Sequence, residues 1–291
     1  MKRNEILSKE NLSPDVWRYK VYAPHIVAER KPGQFIILQV DHDFGERIPL
    51  TIADADEATG SITLVFQSVG ATTHKLAELN VGDAIPDLLG PLGRPTDIHK
   101  VGRVVCVGGG IGVAPMLPIA RAMKAAGNHV TVILGARNKD LVIFEDEMRS
   151  FADEVVLCTD DGSAGRKDLV TAPLKELCES DTPPDEVIAI GPPVMMMFCA
   201  KTTLPYKVHT VVSLNTIMID GTGMCGGCRI SVGGETKFVC VDGPEFDGHT
   251  VDWDNMMRRM KAYKTAETAA HEAFHRAHDC NLLKMADQAK A

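Results

Sequence analysis

The chain has 291 residues, a formal net charge of −8, 45% hydrophobic residues and 24% charged residues. This length allows two compact domains and a small appendage. The negative charge argues against a nucleic acid or an anionic membrane as a partner. No apolar segment follows the basic residues Lys2 and Arg3, and the longest apolar run, residues 104–120, is interrupted by glycines and prolines. We therefore expect a cytoplasmic protein with no membrane span.

The first part of the chain, to about residue 97, consists of short alternating or apolar runs separated by turns. This spacing predicts an antiparallel barrel or sandwich. The predicted strands are residues 16–21, 35–40, 62–66 and 83–88.

Two segments of this region are suited to a flavin dinucleotide. Arg47 is a fork-shaped cation that can clamp a pyrophosphate, and Thr51, four residues later, can hydrogen-bond the flavin ring and is the expected catalytic residue. A second segment precedes a predicted helix at residues 74–79 and offers amides and hydroxyls to an anion. The alternative for the first segment is a barrel strand with one exposed arginine. The expected flavin-binding residues are Arg47, Pro49, Leu50, Thr51, Val65, Phe66, Gln67, Gly70, Thr72 and Thr73.

From Arg103 the pattern changes to an apolar strand, a glycine turn, a predicted helix at residues 116–126 and a second strand at residues 130–134. This order is typical of a βαβ unit on a parallel sheet. The glycines permit a close approach to a pyrophosphate at a helix N-terminus. Pro115 stands where the G-x-G-x-x-G pattern has a small residue, and the alternative is a turn that serves packing alone.

Two further loops, residues 159–163 and 191–196, follow predicted strands and are expected in the same crevice. Asp160 and Asp161 suit ribose hydroxyls or cap their own turn. Arg137 and Lys139 follow the second strand and can bind the 2′-phosphate of NADPH. They can equally be solvated loop charges, so the sequence leaves the choice between NADH and NADPH open. The expected nicotinamide-nucleotide residues are Gly109, Gly110, Ile111, Gly112, Val113, Ala114, Asp161, Gly191, Pro192, Pro193 and Met195.

The most specific pattern of the chain is a carboxylate and three cysteines. Asp220 precedes Cys225 and Cys228 with the spacing D-x4-C-x2-C, and Cys240 follows. With a cysteine at position 220 this would be the plant-type [2Fe-2S] spacing. We therefore predict a [2Fe-2S] cluster on Asp220, Cys225, Cys228 and Cys240. Zinc is the rival metal, and for Asp220 the alternative is a plain turn residue.

The C-terminal tail contains a literal H-E-x-x-H, from His271 to His275, with His278 or Cys280 as a candidate third ligand. Only 16 residues follow His275, and little apolar sequence surrounds the motif. We therefore do not expect a zinc protease. A solvated tail helix that docks a partner subunit is the favoured interpretation.

With these motifs in this order, the chain resembles the ferredoxin-NADP reductase superfamily over nearly all of residues 1–280. It looks like the small alpha subunits of NADH-dependent ferredoxin:NADP+ oxidoreductases, also called sulfide dehydrogenases, and Asp220 with three cysteines is the most specific shared mark. The related electron-transfer subunit of dihydroorotate dehydrogenase has four cysteines. Ile190 stands before Gly191 where many reductases have a cysteine.

The resemblance implies FAD at residues 47–51 and 70–73, NAD(H) or alternatively NADP(H) at residues 109–114 and 191–195, and the cluster at the exit. Hydride would be exchanged at FAD N5. Single electrons would pass through the cluster to a larger flavin- and iron–sulfur-containing subunit in a heterodimer, and would reach ferredoxin indirectly. The alternatives are the electron-transfer subunit of a dihydroorotate dehydrogenase or glutamate synthase, and a redox sensor without turnover.

The expected fold class is therefore a multi-domain β and α/β protein. Residues 1–97 form the FAD-binding antiparallel β-barrel domain, and residues 98–210 form the open parallel-sheet NAD(P)-binding domain. Residues 211–250 form the small [2Fe-2S] domain. Residues 251–291 form a C-terminal helical tail that contacts the partner.

Overall fold

Six antiparallel strands form the first of two large sheets in the computed structural model, which describes residues 1–42, 45–274 and 276. The strands are β1 (Ile6–Ser13), β2 (Val16–Tyr22), β3 (Phe35–Gln39), β4 (Arg47–Asp56), β5 (Ser61–Gln67) and β6 (Asp87–Leu92). They pair in the order β1-β2-β5-β4-β3-β6. A bridge between Glu5 and Ala84 joins the start of β1 to the segment before β6 and closes the sheet. The predicted antiparallel barrel is confirmed.

The barrel core follows from the period of two along each strand. In β5, Ile62, Leu64 and Phe66 face the interior and are at most 1% exposed. The opposite face of β5 is buried as well, because Val65 packs in a hydrophobic core together with residues of the second large sheet, the nucleotide sheet described below. The barrel and the nucleotide sheet therefore pack against each other.

The barrel region also contains two helices, α1 (Pro24–Glu29) and α2 (Ala71–Glu78). Helix α2 was expected at residues 74–79, and it begins three residues earlier. The predicted strand at residues 83–88 is wrong in its bounds, since β6 begins at Asp87. Pro86 separates this strand from the bridge at Ala84, because a proline has no amide to donate to a sheet.

Seven strands form the second sheet, and all of its pairs are parallel except the last. The strands are β7 (Arg103–Gly109), β8 (His129–Ala136), β9 (Glu154–Thr159), β10 (Arg166–Lys167), β11 (Glu186–Ile190), β12 (His209–Ser213) and the antiparallel β15 (Glu245–Asp247). The helices between them are α3 (Val113–Ala125), α4 (Glu145–Arg149), α5 (Thr171–Glu179) and α6 (Pro193–Thr203). The predicted open α/β region is confirmed.

The order of this sheet is β10-β9-β8-β7-β11-β12-β15. From β7, the strands β8, β9 and β10 follow one another outward on one side of the sheet. Strand β11 then pairs with the other side of β7. The carboxyl ends of β7 and β11 therefore flank the switch point at which such sheets bind ligands. Helix α3 begins at Val113, three residues before its predicted start, because the glycine turn winds directly into it through a 3₁₀ turn.

The cysteine-rich segment forms a two-stranded hairpin, β13 (Arg229–Val232) and β14 (Glu235–Phe238), followed by the short helix α7 (Val239–Asp242). Strand β15 then returns the chain to the nucleotide sheet. The tail consists of α8 (Trp253–Met260) and helical residues 264–274. Within the described residues, no helix combines the length and the apolar character that crossing a membrane requires.

Candidate functional site

A cleft of about 1010 Å³ lies between the barrel and the nucleotide sheet. It opens where β7 and β11 end, at the switch point of the strand order. Its volume stands at the upper end of the range of ligand pockets in proteins. Its walls come from both domains, so the cleft is the candidate site for cofactors.

The nucleotide side of the cleft is built from two loops that contain glycine. The predicted residues that line it are Gly109, Gly110, Ile111, Gly112, Gly191, Pro192 and Met195. Gly110 has a φ of 54°, a left-handed conformation that lets the chain turn from β7 into α3. A Cβ on Gly112 would lie 2.4 Å from the carbonyl oxygen of Ile190. Glycine is therefore required for the turn to pass the end of β11 and to bring the N-terminus of α3 to the cleft.

The barrel side of the cleft is built from β4 and β5. The predicted residues that line it are Pro49, Leu50, Thr51, Val65 and Gln67. Thr51 is paired with Phe35 across β3 and β4, and both residues line the cleft. Thr51, the predicted catalytic residue, thus lies in the same cavity as the glycine turn.

Arg47 is not among the residues that line the cleft. It stands at the start of β4 and forms an ion pair with Asp87 of β6. Because a guanidinium group binds carboxylate and phosphate with the same donors, a pyrophosphate at Arg47 would compete with Asp87. In this structure the predicted clamp is held by Asp87 of β6, across the intervening strand β3.

The start of α2 also lies outside the cleft lining. The hydroxyl of Thr73 accepts hydrogen bonds from the amides of Val69 and Gly70, both at 3.0 Å. Thr72 Oγ1 donates to Glu46 Oε2 at 2.6 Å. Both hydroxyls, which were expected to face an anion, are thus engaged within the protein.

The remaining predicted residues have structural roles that the fold explains. Phe66 faces the barrel interior, and Val113 and Ala114 are buried where α3 packs on its sheet. Pro193 begins α6, where a missing amide costs nothing. Asp161 caps its own turn by accepting from the Ser163 amide at 2.9 Å, and the hydrogen bonds from Ser163 lower the pKa of its carboxyl.

The structure adds residues that the sequence did not single out. Further residues in the cleft wall are Val16, Phe35, Leu141, Ile143, Asp168, Leu169, Val170, Thr171, Phe198, Ser213, Leu214, Asn215, Met218 and Pro244. Val194, from the predicted loop at residues 191–196, lines the cleft. Arg137 and Asp160, for which the sequence leaves a nucleotide contact and a structural role open, also line the cleft, as do Pro115 and Ile190. Most of these residues carry no chemical signal in a sequence, because they are apolar and come from separate strands, loops and helices along the chain. The end of β12 at Ser213 is the exception, since every strand of a parallel sheet ends at this edge.

The three predicted cysteine ligands and Asp220 are grouped in two pairs. Cys228 Sγ lies 3.2 Å from Cys240 Sγ. In the other pair, the amide of Cys225 donates to Asp220 Oδ2 at 2.8 Å. The two pairs are not gathered into one group of three or more metal ligands in the described part of the chain. A [2Fe-2S] cluster takes two protein ligands on each iron, so each pair would supply the ligands of one iron.

Backbone amides are directed at the sulfur atoms of this loop. The Gly227 amide donates to Cys225 Sγ at 3.4 Å, and the Cys240 amide donates to Cys228 Sγ at 3.5 Å. Such hydrogen bonds stabilise thiolates in iron–sulfur sites. Gly221 has a φ of 74° and packs against Leu92 of the barrel, so the loop is pressed closely onto β6.

The ionisation of these groups also fits a metal centre. Burial, followed by the contact with Cys228, raises the pKa of the Cys240 thiol to about 12. Paired thiolates at this position therefore need a positive charge, which a metal centre supplies. Desolvation raises the pKa of Asp220, but hydrogen bonds from the amides of Thr222 and Cys225 outweigh it, so the net shift is downward and the carboxylate is favoured.

The H-E-x-x-H motif lies only partly within the described residues. His271 faces His74 of α2, with their Nε2 atoms 3.3 Å apart, and Glu272 faces Arg276 at 3.9 Å. His275, His278 and Cys280 lie outside the described residues. Over residues 1–42, 45–274 and 276, no three or more His, Cys, Asp or Glu residues are grouped so that they could hold a metal ion.

Two parts of the chain match known families. Residues 215–252 match the iron-sulfur cluster binding domain of dihydroorotate dehydrogenase B, and residues 106–201 match the oxidoreductase NAD-binding domain. The first match contains Asp220 and all three cysteines, and the second contains both glycine loops. The chain is thus an oxidoreductase with an NAD-binding domain and an iron–sulfur domain.

Among solved structures, a chain of the NADH-dependent reduced ferredoxin-NADP oxidoreductase superposes on this chain with a TM-score of 0.89. That structure is described as giving insights into flavin-based electron bifurcation. It is 44% identical, and the match covers 94% of this chain and 98% of that one. Phthalate dioxygenase reductase is 20% identical to this chain and superposes with a TM-score of 0.58. The match covers 84% of this chain and 76% of the reductase, which is described as a modular structure for electron transfer from pyridine nucleotides to [2Fe-2S]. The latter likeness concerns the fold alone.

Relatives of similar length are found by sequence. The dihydroorotate dehydrogenase B (NAD(+)) electron transfer subunit homolog of Thermotoga maritima is 46% identical over 271 residues, which is 93% of this chain and 95% of that protein. The dihydroorotate dehydrogenase B (NAD(+)) electron transfer subunit of Streptococcus mutans is 33% identical over 250 residues, 83% of this chain and 94% of that protein. Because these matches span both domains and the cysteine loop, the chain belongs to the family of dihydroorotate dehydrogenase B electron transfer subunits and their homologues.

Proposed function

We propose that the chain exchanges hydride with NAD(H) and relays single electrons through a [2Fe-2S] cluster to a larger flavoprotein subunit, as a subunit of an NADH-dependent ferredoxin:NADP+ oxidoreductase. The observation that carries this proposal is the shared cleft, whose wall reaches from the glycine turn to Thr51 and on to Met218. Met218 stands two residues before Asp220, and two residues of chain span at most about 7 Å. The cofactor cleft and the cluster loop are therefore adjacent.

The residues of the cleft have separable tasks in this function. FAD, when bound, supplies the conversion between a two-electron hydride and single electrons. Thr51 and the β4 backbone would orient the flavin ring, and the Gly109–Gly112 turn would receive the nucleotide's phosphates at the start of α3. Apolar side chains such as Phe35, Met195 and Leu214 keep water from the place where nicotinamide and flavin meet.

The cluster loop offers a surface to a partner. Cys225 is exposed, and Met224 beside it has 89% of its surface in water. Ile219 and Val241, at 51% and 38% exposure, extend this apolar area along the loop and α7. An exposed apolar patch around a redox centre is typical of a protein contact, so the larger subunit would dock here. Because the clustered thiols require a reducing compartment, we place the complex in the cytoplasm.

The direct test is anaerobic addition of NADH to the purified chain with its cofactors. We expect bleaching of the flavin absorbance, then the EPR signal of a reduced [2Fe-2S] cluster, and steady reduction of an artificial dye. NADPH in a parallel titration gives the nucleotide preference. If neither nucleotide reduces the flavin, the proposed enzymatic function is wrong and a redox sensor becomes the better interpretation.

A second candidate is the electron-transfer subunit of a dihydroorotate dehydrogenase, because relatives with that name match over most of this chain. The two candidates differ in the larger subunit. Purification of the tagged chain under native conditions and identification of the chain that accompanies it separate them. A partner that reduces ferredoxin supports the first candidate, and a partner that oxidises dihydroorotate supports the second.

A further inference from the structure

Two arginines from different elements hold the two glycines at the centre of the cluster loop. Arg229 Nη1, from the start of β13, donates to the carbonyl oxygen of Gly226 at 2.9 Å. Arg259 Nη2, from α8, donates to the carbonyl oxygen of Gly227 at 3.2 Å. These glycines separate the second and third predicted ligands of the cluster, so both guanidinium groups stand against the metal-binding segment.

The peptide unit between Gly226 and Gly227 has both of its polar groups engaged. Its carbonyl accepts from Arg229, and its amide donates to Cys225 Sγ at 3.4 Å. Gly226 has a φ of 65°, a left-handed conformation that glycine adopts without a steric cost. A cationic donor on a carbonyl polarises the peptide and strengthens the hydrogen bond that its amide donates. Arg229 therefore acts on Cys225 through a single peptide unit.

Helix α8 is firmly placed, so Arg259 reaches the glycines from a fixed support. Asp252 caps the helix by accepting from the Asn255 amide at 2.9 Å. Met256 is fully buried in the same hydrophobic core as Cys228. Arg259 follows Met256 by three residues, which places both on neighbouring positions of one helix face. The contact of Arg259 with Gly227 thus joins the C-terminal part of the chain to the cluster loop.

The charges of the two arginines are not neutralised nearby. In the part of the chain that the structure describes, neither guanidinium group forms an ion pair with a carboxylate, and both donate to neutral carbonyls. Reduction adds one electron, and so one negative charge, to a cluster bound by this loop. Hydrogen bonds to the ligand sulfur atoms and positive charge close by stabilise the more negative state.

We propose that Arg229 and Arg259 are positioning residues that raise the reduction potential of the cluster. Arg229 acts through the peptide that donates to Cys225, and Arg259 holds the adjoining carbonyl against α8. The inference rests on the cluster of the proposed function and does not depend on the nucleotide or on the partner subunit. A higher potential here draws single electrons from the flavin towards the exit of the chain.

The test is a redox titration of the full chain loaded with flavin and cluster. A chemical reductant with mediators sets the potential, and EPR gives the reduced fraction of the cluster, so a failure of hydride transfer from NADH leaves this result unaffected. We expect Arg229→Met and Arg259→Met each to lower the ratio of reduced to oxidised cluster at a fixed potential by about threefold. Iron analysis checks that each variant holds its cluster.

Two further variants separate the proposed effect from size and from general charge. Arg229→Lys keeps a cationic donor and should retain the potential of the unchanged protein. Arg94→Met is the matched control, because Arg94 donates to the carbonyl of Val241 at 3.2 Å, beside the ligand Cys240 but away from the Gly226–Gly227 peptide. It should also leave the potential unchanged. An equal shift in Arg94→Met overturns the proposal.

Unchanged potentials in Arg229→Met and Arg259→Met overturn the proposal as well, and a shift in Arg229→Met alone removes Arg259 from it. If the methionine variants lose iron, Arg229→Gln and Arg259→Gln take their place, because glutamine keeps an uncharged donor for the carbonyl. These variants should also lower the ratio of reduced to oxidised cluster. Loss of iron from them too would show a purely structural role and contradict the proposal.

Discussion

Cys228 Sγ and Cys240 Sγ lie 3.2 Å apart, although the two residues are separated by twelve positions in the chain. The hairpin of β13 and β14 brings them together, because its two-residue Gly-Gly turn pairs the two strands so that the end of β14 lies beside the start of β13. This pair would hold one iron of the cluster.

Cys240→Ser should therefore reduce iron from about two ions per chain to near zero. A buried thiolate pair that has lost one partner cannot hold its iron, and the second iron leaves with the cluster. Iron analysis and EPR measure the outcome. Cys178→Ala, which removes a buried thiol outside the loop, should keep the iron. Full iron in Cys240→Ser would show that Cys240 is not a ligand.

Asp220 should prove the weaker but still necessary ligand. We expect Asp220→Ala to lose or weaken the cluster and Asp220→Cys to keep it with an altered reduction potential, because thiolate and carboxylate differ in softness. EPR under a controlled potential distinguishes the variants. An unchanged spectrum and potential in both variants would mean that Asp220 serves only as the turn residue that accepts from Thr222 and Cys225.

Arg47 should be required for flavin retention. Its ion pair with Asp87 holds the guanidinium next to β6, and a flavin pyrophosphate would take over those donors. Arg47→Ala is expected to lower the affinity for FAD by about tenfold or more, measured as flavin per chain after gel filtration. Arg18→Ala, which breaks an ion pair with Glu10 elsewhere on the barrel, is the matched control. Equal flavin content in the two variants would remove Arg47 from the site.

Gly112→Ala should weaken nucleotide binding. The added methyl would meet the Ile190 carbonyl at 2.4 Å and force the glycine turn away from β11. We expect the KM for NADH to rise at least about tenfold, which corresponds to about 1.4 kcal/mol. Gly127→Ala, in the same domain at a φ of 88°, is strained but lies after α3 and should leave the KM unchanged. An unaltered KM in Gly112→Ala would contradict the assigned nucleotide site.

Stability should fall as the pH rises from about 4.5 to about 7 because of Glu245. Burial, opposed in part by the hydrogen bond that Thr96 donates, raises the pKa of Glu245 to about 7, and Glu186 and Asp97 add to the shift. The folded protein thus keeps its proton in a range where the unfolded chain has lost it, which favours unfolding as pH increases.

Glu245→Gln removes this dependence and keeps the acceptor for Thr96. We expect similar Tm values for the variant and the unchanged protein at pH 4.5 and a higher Tm for the variant at pH 8. Because Glu245 retains some contact with water, the gain should not exceed about 3 kcal/mol. A Tm difference that does not grow with pH would show that Glu245 is not protonated in the fold.

Local patterns determined much of this protein. The period of two in β5, the glycine turn after β7 and the spacing from Asp220 to Cys228 are each contained in fewer than fifteen consecutive residues. Physical chemistry acts on such segments directly, since alternation selects a strand and glycine permits a tight turn. The fold class and the cofactor types therefore followed from the sequence.

Only the tertiary structure decided which side chains meet. The ion pair of Arg47 with Asp87 depends on the strand order β4-β3-β6 in the barrel. The contact of His74 with His271 joins residues 197 positions apart. The apolar wall formed by residues such as Phe35 and Met218 bears no chemical mark in the sequence. Long-range packing brings these groups together, and a local pattern contains no information about which distant surface will cover it.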